Sequence, residues 1–131
     1  MGEPAKKRAS YEDLYAIPES AIGEIIDGEL VVTPRPSPEH THASSVLGLE
    51  IGPGYALGRG GGPGGWIILF EPEVMFAGRG EPLVPDLAGW KKERFRRSGE
   101  HNWIGVIPGW ICEVLSPGTA KKDRFTKMAI Y

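Results

Sequence analysis

A chain of 131 residues with a formal net charge of −2 fits a single domain with one hydrophobic core, and its apolar and charged fractions are typical of a soluble globular protein. The single cysteine excludes an intramolecular disulfide, and no apolar run approaches the roughly 20 residues that a membrane-spanning helix needs. The N-terminus lacks the apolar segment of a secretory signal, so we expect a cytoplasmic protein.

The first half of the chain is predicted to contain a flexible basic leader, a short helix, a hairpin and a longer helix. Ser10 and Asp13 resemble a capping box, and Asp27-Gly28 between two β-prone runs is a strong hairpin signal. The predicted spans are a leader over 1–9, a helix over 10–16, a hairpin over 24–32, and a helix over 41–51 that ends at Gly52-Pro53.

A glycine-rich segment follows at 58–65 and is predicted to be a flexible turn. It is similar to a phosphate-binding loop only in its glycines. Neither Lys-Ser nor Lys-Thr follows it, and the next predicted element is a strand rather than a helix. The segment therefore does not indicate a nucleotide-binding protein.

The second half is predicted to supply most of the sheet. Short apolar, β-prone runs bounded by Gly and Pro indicate strands, and the high Gly and Pro content favours a loop-rich sheet protein over a helical bundle. The predicted elements are strands over 66–76 (bent at Pro72), 83–90 and 109–115, a polar helical turn over 91–97, a weak strand or loop over 104–107, and a helix from 119 to the end.

Two carboxylates stand within the apolar strands of this half. Glu113 shares a strand face with Ile111 and Leu115, and Asp86 follows Pro85 in the preceding predicted strand. A carboxylate in such a setting must be paired, hydrogen-bonded or bound to a cation. Glu113 could be paired with a basic residue and Asp86 could simply end its strand. If the strands are neighbours, the pair suits Mg²⁺ or Mn²⁺ better than zinc.

The helix after Glu113 has a polar stripe with a spacing of four residues. Packing of its apolar side on the sheet would lean Lys127 toward the carboxylates, where it could orient a water or neutralise charge. The alternative is an ordinary surface pair of Asp123 and Lys127. The stripe consists of Thr119, Asp123, Lys127 and Tyr131.

These segments resemble the Uma2 family, also called DUF820, of restriction-endonuclease-like proteins. The resemblance runs from about residue 10 to the end, and EVLSPGT followed by Asp123, Lys127 and Tyr131 is its most specific part. The family belongs to the PD-(D/E)XK nuclease superfamily. The resemblance therefore implies an α/β (α+β) fold with a restriction-endonuclease-like mixed β-sheet core flanked by helices, forming one domain over 10–131.

The resemblance also implies roles for individual residues. Pro85-Asp86 looks like the PD element, and Glu113 looks like the acidic residue of (D/E)XK. The position of the usual lysine holds Leu115, and Lys127 looks like its substitute from the next helix. Asp86 and Glu113 would then hold Mg²⁺ or Mn²⁺.

Further residues are candidates for completing this site. Glu24 resembles the acidic residue near the N-terminus of many such sites, and Glu73 competes for that role. The backbone carbonyl of Val114 is a candidate metal ligand, and His40 is expected nearby.

The C-terminus departs from the family pattern. Members usually continue past the tyrosine into further strands, whereas this chain ends at Tyr131. We expect a truncated product or a C-terminally short protein, with an open sheet edge that invites pairing between chains. A homodimer is therefore predicted.

The predicted function is metal-dependent hydrolysis of nucleic-acid phosphodiester bonds, with DNA favoured as the partner. An acidic overall charge is unusual for a nucleic-acid-binding protein, so the grip on the substrate would come from local basic clusters, although each could be only a solvated face. The clusters are Lys91, Lys92, Arg94, Arg96 and Arg97, and then Lys121, Lys122, Arg124 and Lys127.

The sequence leaves two alternatives to a nuclease. The first is an interaction module that keeps the nuclease fold without cleavage, which the acidic balance and the short C-terminus favour. The second is a cysteine hydrolase with Cys112 as nucleophile and His40, His42 or His101 as base, which a buried strand position disfavours. A zinc site at His40 and His42 is also disfavoured, because no cysteine or third histidine lies near them.

Overall fold

The computed structural model describes residues 8–19, 21–34, 36–76, 78–97, 99–115 and 127–131. It has the predicted combination of helices and a β-sheet core. The elements in chain order are α1 (Tyr11–Tyr15), β1 (Ala21–Ile26), β2 (Glu29–Pro34), α2 (Pro38–Ile51), a π-helical turn (Gly52–Ala56), β3 (Trp66–Phe70), β4 (Val74–Met75), β5 (Pro82–Leu83), β6 (Leu87–Lys91) and β7 (Trp110–Cys112). Residues 127–130 are helical.

The N-terminal elements follow from local sequence signals. The Ser10 backbone N–H donates to the Asp13 carboxylate at 2.8 Å, as expected where α1 begins. Asp27 and Gly28 both adopt positive φ, 49° and 81°, and join β1 to β2 in the turn that matches strand twist. The Ala9 N–H donates to the Gly28 carbonyl, so the end of the predicted leader contacts this hairpin, whereas 1–7 lie outside the described residues.

The central described sheet has the order β3-β6-β7, with antiparallel neighbours. Leu87 pairs with Phe70 on one side and with Cys112 on the other. β4 and β5 form a second antiparallel pair, and a parallel bridge joins Val74 to Ile104. β6 and β7 are antiparallel neighbours, and Leu87 pairs with Cys112. Asp86, just before β6, and Glu113, just after β7, therefore lie at the same end of the sheet.

The second helix ends at Ile51, as predicted, but it begins earlier than predicted. α2 begins at Pro38 rather than 41, because the Ser37 hydroxyl accepts the His40 N–H at 3.2 Å and proline suits the first helical turn. Helical winding continues through Gly52–Ala56 despite Gly52-Pro53. The glycine-rich segment then packs closely on this turn, since a Cβ at Gly62 would collide with the Gly54 backbone.

The three predicted strands of the second half are shorter than expected. The run over 66–76 is interrupted where Glu71 takes a φ of 48°, and the run over 83–90 is interrupted between β5 and β6. Pro72 and Pro85 have no N–H for a ladder, which explains both breaks. β7 ends at Cys112, so Glu113 lies just beyond it.

The buried core joins side chains of the central sheet and of the β4–β5 pair with Ile26 of β1. Trp90 on β6 is fully buried, and its indole N–H donates to the Val106 carbonyl at 2.7 Å. The ring thus places its apolar body in the core and still satisfies its polar atom. Ile130 and Tyr131 pack against the same cluster, which brings the C-terminal residues to the sheet. The predicted helix over 119–126 lies outside the described residues.

Candidate active site

Lys127 is buried between two carboxylates. Its ammonium nitrogen lies 2.8 Å from Glu24 Oε2, 2.8 Å from Glu113 Oε1 and 3.1 Å from the Val84 carbonyl oxygen. Only 5% of the residue is exposed. Lys127 therefore points into the protein, and the interpretation of this lysine as part of a solvated surface pair was wrong.

Tyr131 completes the contacts on Glu113. Its hydroxyl donates to Glu113 Oε1 at 2.7 Å, and its backbone N–H donates to the Lys127 carbonyl within the same helical turn. Residues four apart lie on one helix face, so one turn supplies both a cation and a hydroxyl donor to the same carboxylate.

Asp86 lies beside this group and is held by different partners. Its Oδ2 accepts the Val114 backbone N–H at 2.6 Å and lies 3.3 Å from His40 Nε2 on α2. Glu24 on β1 is held by the Val84 N–H, which donates to Glu24 Oε2 at 2.9 Å. Four distant segments therefore meet, and we call Glu24, Asp86, Glu113 and Lys127 the carboxylate–lysine cluster.

The pKa values in the cluster are shifted both by burial of the charged groups and by their interactions with neighbouring charges. Burial alone would lower the pKa of Lys127, but Glu24 and Glu113 outweigh it and raise that pKa. Burial raises the pKa of Glu113, and Asp86 adds to this, while Lys127 and Tyr131 oppose it. Burial and Glu113 raise the pKa of the Tyr131 phenol. Lys127 is thus a cation and Tyr131 a neutral donor at neutral pH.

Glu73 and Val114, two of the predicted site residues, make contacts other than those predicted. The Glu73 carboxylate accepts the Tyr11 hydroxyl at 2.6 Å, whereas the Lys127 ammonium takes Glu24 as its second carboxylate. Val114 contributes its backbone N–H to Asp86, whereas the predicted metal ligand was its backbone carbonyl.

Several contacts were not anticipated from the sequence. The sequence predicts no role for the Val84 backbone, which contacts both Glu24 and Lys127, or for the Tyr131 hydroxyl. The spacing of Lys127 and Tyr131 is a signal that could have identified the latter. Pairing of His40 with Asp86 depends on how α2 lies on the sheet, which no local pattern encodes.

The donor atoms suit a hard divalent cation. In each of the three carboxylates of the cluster, the contacts above fall on one oxygen, and the other oxygen is available as far as the described residues are concerned. His40 Nδ1 and Ser44 Oγ, one turn apart on α2, are buried without partners in the described part of the chain. Mg²⁺ commonly uses one or two carboxylates with waters and substrate phosphate. Asp86 and Glu113 fit that pattern, although no group of three or more metal-ligating side chains occurs among the described residues.

Cys112 has the wrong environment for a nucleophile. Burial raises the pKa of its thiol, and the nearby carboxylates of Asp86 and Glu113 raise it further. The reactive form of cysteine is the thiolate, which this environment disfavours. The geometry argues against a cysteine hydrolase.

Comparison with known families agrees with the resemblance. The chain matches Uma2, described as "Putative restriction endonuclease", over residues 8–131. The chain belongs to the Uma2 family. Comparison with curated proteins gives no significant match for this Uma2 chain.

A solved structure shares the fold. It is the crystal structure of "a putative nuclease belonging to DUF820" from Anabaena variabilis ATCC 29413, which superposes with a TM-score of 0.72 at 20% sequence identity. The match covers 92% of this Uma2 chain and 66% of that chain, so this chain spans just under two thirds of its relative. The α+β nuclease-like fold class is thereby confirmed. Among the described helices, none has the length and apolar character that crossing a bilayer requires.

Proposed function

We propose that this Uma2 protein is a Mg²⁺- or Mn²⁺-dependent endonuclease that hydrolyses phosphodiester bonds of DNA. The observation that carries the proposal is the burial of Lys127 between Glu24 and Glu113, beside Asp86. A buried ion pair is costly to assemble and often adds little to stability. Such a cluster in a nuclease-like fold is better accounted for by catalysis than by stability.

The roles of the side chains follow from their contacts. Asp86 and Glu113 would hold the metal ion, which when bound supplies an acidic water and an electrostatic partner for phosphate oxygens. Lys127 has a raised pKa and stays protonated, so it acts as a charged donor to water or phosphate rather than as a proton acceptor. Glu24 positions Lys127, and the Val114 N–H and His40 orient Asp86.

The proposal extends to partners and location. Nucleic acid is the proposed partner, the cytoplasm the proposed compartment, and a homodimer the proposed assembly. The support for a dimer is that β3 and β7 form the two edges of the described central sheet. Open edges favour strand pairing between chains. Light scattering at micromolar concentration tests this, and a monomeric mass would contradict it.

An inactive interaction module is the second candidate. Lys127 already compensates Glu24 and Glu113, as an ammonium would in a purely structural ion-pair network. The described residues also lack a three-ligand metal group. Both observations would be expected of a nuclease fold that no longer cleaves.

Titration of Mn²⁺ by calorimetry separates the two candidates. Wild type, Asp86→Asn and Glu113→Gln are compared, with Glu73→Gln as the matched control because Glu73 contacts Tyr11 instead of Lys127. We expect binding in wild type and Glu73→Gln that is lost in the other two, followed by cleavage of plasmid DNA only by the metal-binding proteins. Equal behaviour of all four proteins would favour the inactive module.

A further inference from the structure

A groove of about 240 Å³ is lined by residues that are not part of the carboxylate–lysine cluster. We call it the arginine groove; it is lined by Arg96, Arg97, His101, Trp103, Gly105 and Val106. Both arginines are exposed, while the two aromatic side chains are half-buried. The groove therefore combines accessible positive charge with fixed ring surfaces.

The aromatic wall is a preformed stack. The rings of His101 and Trp103 lie 3.4 Å apart with an interplanar angle of 6°. His101 Nδ1 lies 2.8 Å from the Trp103 carbonyl oxygen, and Gly105 leaves space beside the indole where a Cβ would approach to 3.3 Å. Since the Trp103 ring covers one face of the imidazole and both side chains line the groove, a planar group that enters the groove would stack on the other face of His101.

The contacts given below for the arginines, all within the described part of the chain, are with carbonyl oxygens and an aromatic ring. Arg96 donates to the carbonyls of Glu93 and Phe95, and the Arg97 guanidinium lies 5.9 Å from the centre of the Phe95 ring. Arg94 donates to the Ile107 carbonyl. Carbonyls and rings orient a guanidinium but do not neutralise it, so a polyanion remains its natural partner.

Together these features fit one class of occupant. Aromatic platforms beside basic residues bind single-stranded nucleic acid, because bases stack on rings while phosphates meet the cations. A duplex hides its base faces and would leave the stack unused. We propose that the arginine groove binds an unpaired nucleotide of DNA, with the base stacked on His101 and the phosphate contacted by Arg97.

The position of the groove relates it to the proposed cleavage. Asp86 lies just before β6, and the basic stretch begins at Lys91, the last residue of β6. Five residue steps of extended chain, about 17 Å, separate Asp86 from Lys91. A strand held in the groove could extend along the protein toward the carboxylate–lysine cluster. This inference rests on the proposed function for its choice of DNA, and it implies a substrate with a single-stranded segment.

Fluorescence anisotropy in excess EDTA tests binding without metal or cleavage. The probe is a fluorescein-labelled oligothymidylate of about a dozen nucleotides, within the usual site size of such platforms. We expect His101→Ala to weaken binding roughly tenfold, the ordinary scale of one base–ring stack, and His101→Phe to stay within about twofold of wild type. Both variants lose the contact with the Trp103 carbonyl, so their difference isolates stacking.

A salt series tests the phosphate contact. Arg97→Gln should reduce the slope of log affinity against log salt by about 0.7, the value for one phosphate on a single strand. Arg8→Gln removes the same charge from an exposed arginine beside Gly28 and should leave the slope unchanged. Equal slopes in the two variants would contradict the assignment of Arg97.

Other outcomes overturn the inference as a whole. These are equal affinity of wild type and His101→Ala, or competition by a blunt duplex as effective as that by the single strand. Oligonucleotide binding in a protein that fails to bind Mn²⁺ would support the groove and contradict the proposed nuclease. Mn²⁺ binding without oligonucleotide binding would support the proposed nuclease and contradict the groove.

Discussion

The carboxylate–lysine cluster and the arginine groove place cations in opposite environments. Lys127 is buried and held by two carboxylates, whereas Arg96 and Arg97 are exposed and held by carbonyls and a ring. Charge interactions in the interior are strong and poorly screened, while those at the surface are weak and salt-dependent. The same formal charge therefore serves to organise carboxylates in one region and to attract a mobile anion in the other.

Replacement of Lys127 should give the largest effect. Lys127→Met leaves Glu24 and Glu113 unpaired in the interior, and we expect a loss of about 3–5 kcal/mol in the free energy of unfolding. Urea denaturation measures the loss. The matched control is Lys91→Met, which removes an exposed lysine at the end of β6 and should change stability by no more than about 0.5 kcal/mol. A similar cost for both substitutions would remove the distinction between the two environments.

Removal of the Tyr131 hydroxyl should give a smaller loss. Tyr131→Phe deletes the donor to Glu113, and hydrogen bonds to charged groups contribute about 1.5–3 kcal/mol. Because this bond lowers the Glu113 pKa, its loss should also move the titration of Glu113 further upward, measurable by carboxyl-carbon NMR.

Tyr11→Phe is the control for this substitution. It deletes an equivalent phenol–carboxylate bond, at Glu73, and should leave the Glu113 titration unchanged. A shift of that titration in both variants, or in neither, would contradict the assigned contact.

Alkaline pH should weaken the cluster selectively. The folded pKa of Lys127 is raised above 10.5, so its contribution to stability is complete below that pH and is lost as pH rises through the folded pKa. The stability difference between wild type and Lys127→Met should therefore narrow above about pH 10.5. The raised pKa of Tyr131 also lowers stability as pH rises, but Tyr131 is present in both proteins. Its effect therefore largely cancels in the stability difference. A stability difference between the two proteins that stays constant from pH 7 to pH 12 would contradict this prediction.

Locally encoded parts of the fold could be predicted from sequence. The hairpin at Asp27-Gly28 and the start of α1 at Ser10 depend on turn and cap chemistry that a few residues contain. The strand ends were predicted less well, because β-prone residues resume after Pro72 and Pro85, whereas β3 and β5 already end two residues before these prolines. Ser37-Pro38 is a local signal for the start of α2, and the prediction that begins at 41 leaves this signal out.

The candidate site was predictable in its members more than in its contacts. Asp86 and Glu113 stand out as carboxylates in apolar runs, and Lys127 stands out by its spacing in the final helix. Tertiary packing determines which carboxylates Lys127 contacts, and it also determines that Glu73 contacts Tyr11 instead. Backbone groups of Val84 and Val114 carry no signal in their side chains, although they hold Glu24 and Asp86 in place.

Pro85 has a consequence beyond interrupting a strand. A residue that precedes proline is confined to extended conformations, so the peptide groups of Val84 are restricted even before the chain folds. Those groups are the donor to Glu24 and the acceptor from Lys127. The cluster is therefore assembled on a template whose conformational entropy is already reduced in the unfolded chain. The positions of Glu24 and Lys127 therefore depend on the pyrrolidine ring of Pro85 as well as on side-chain packing.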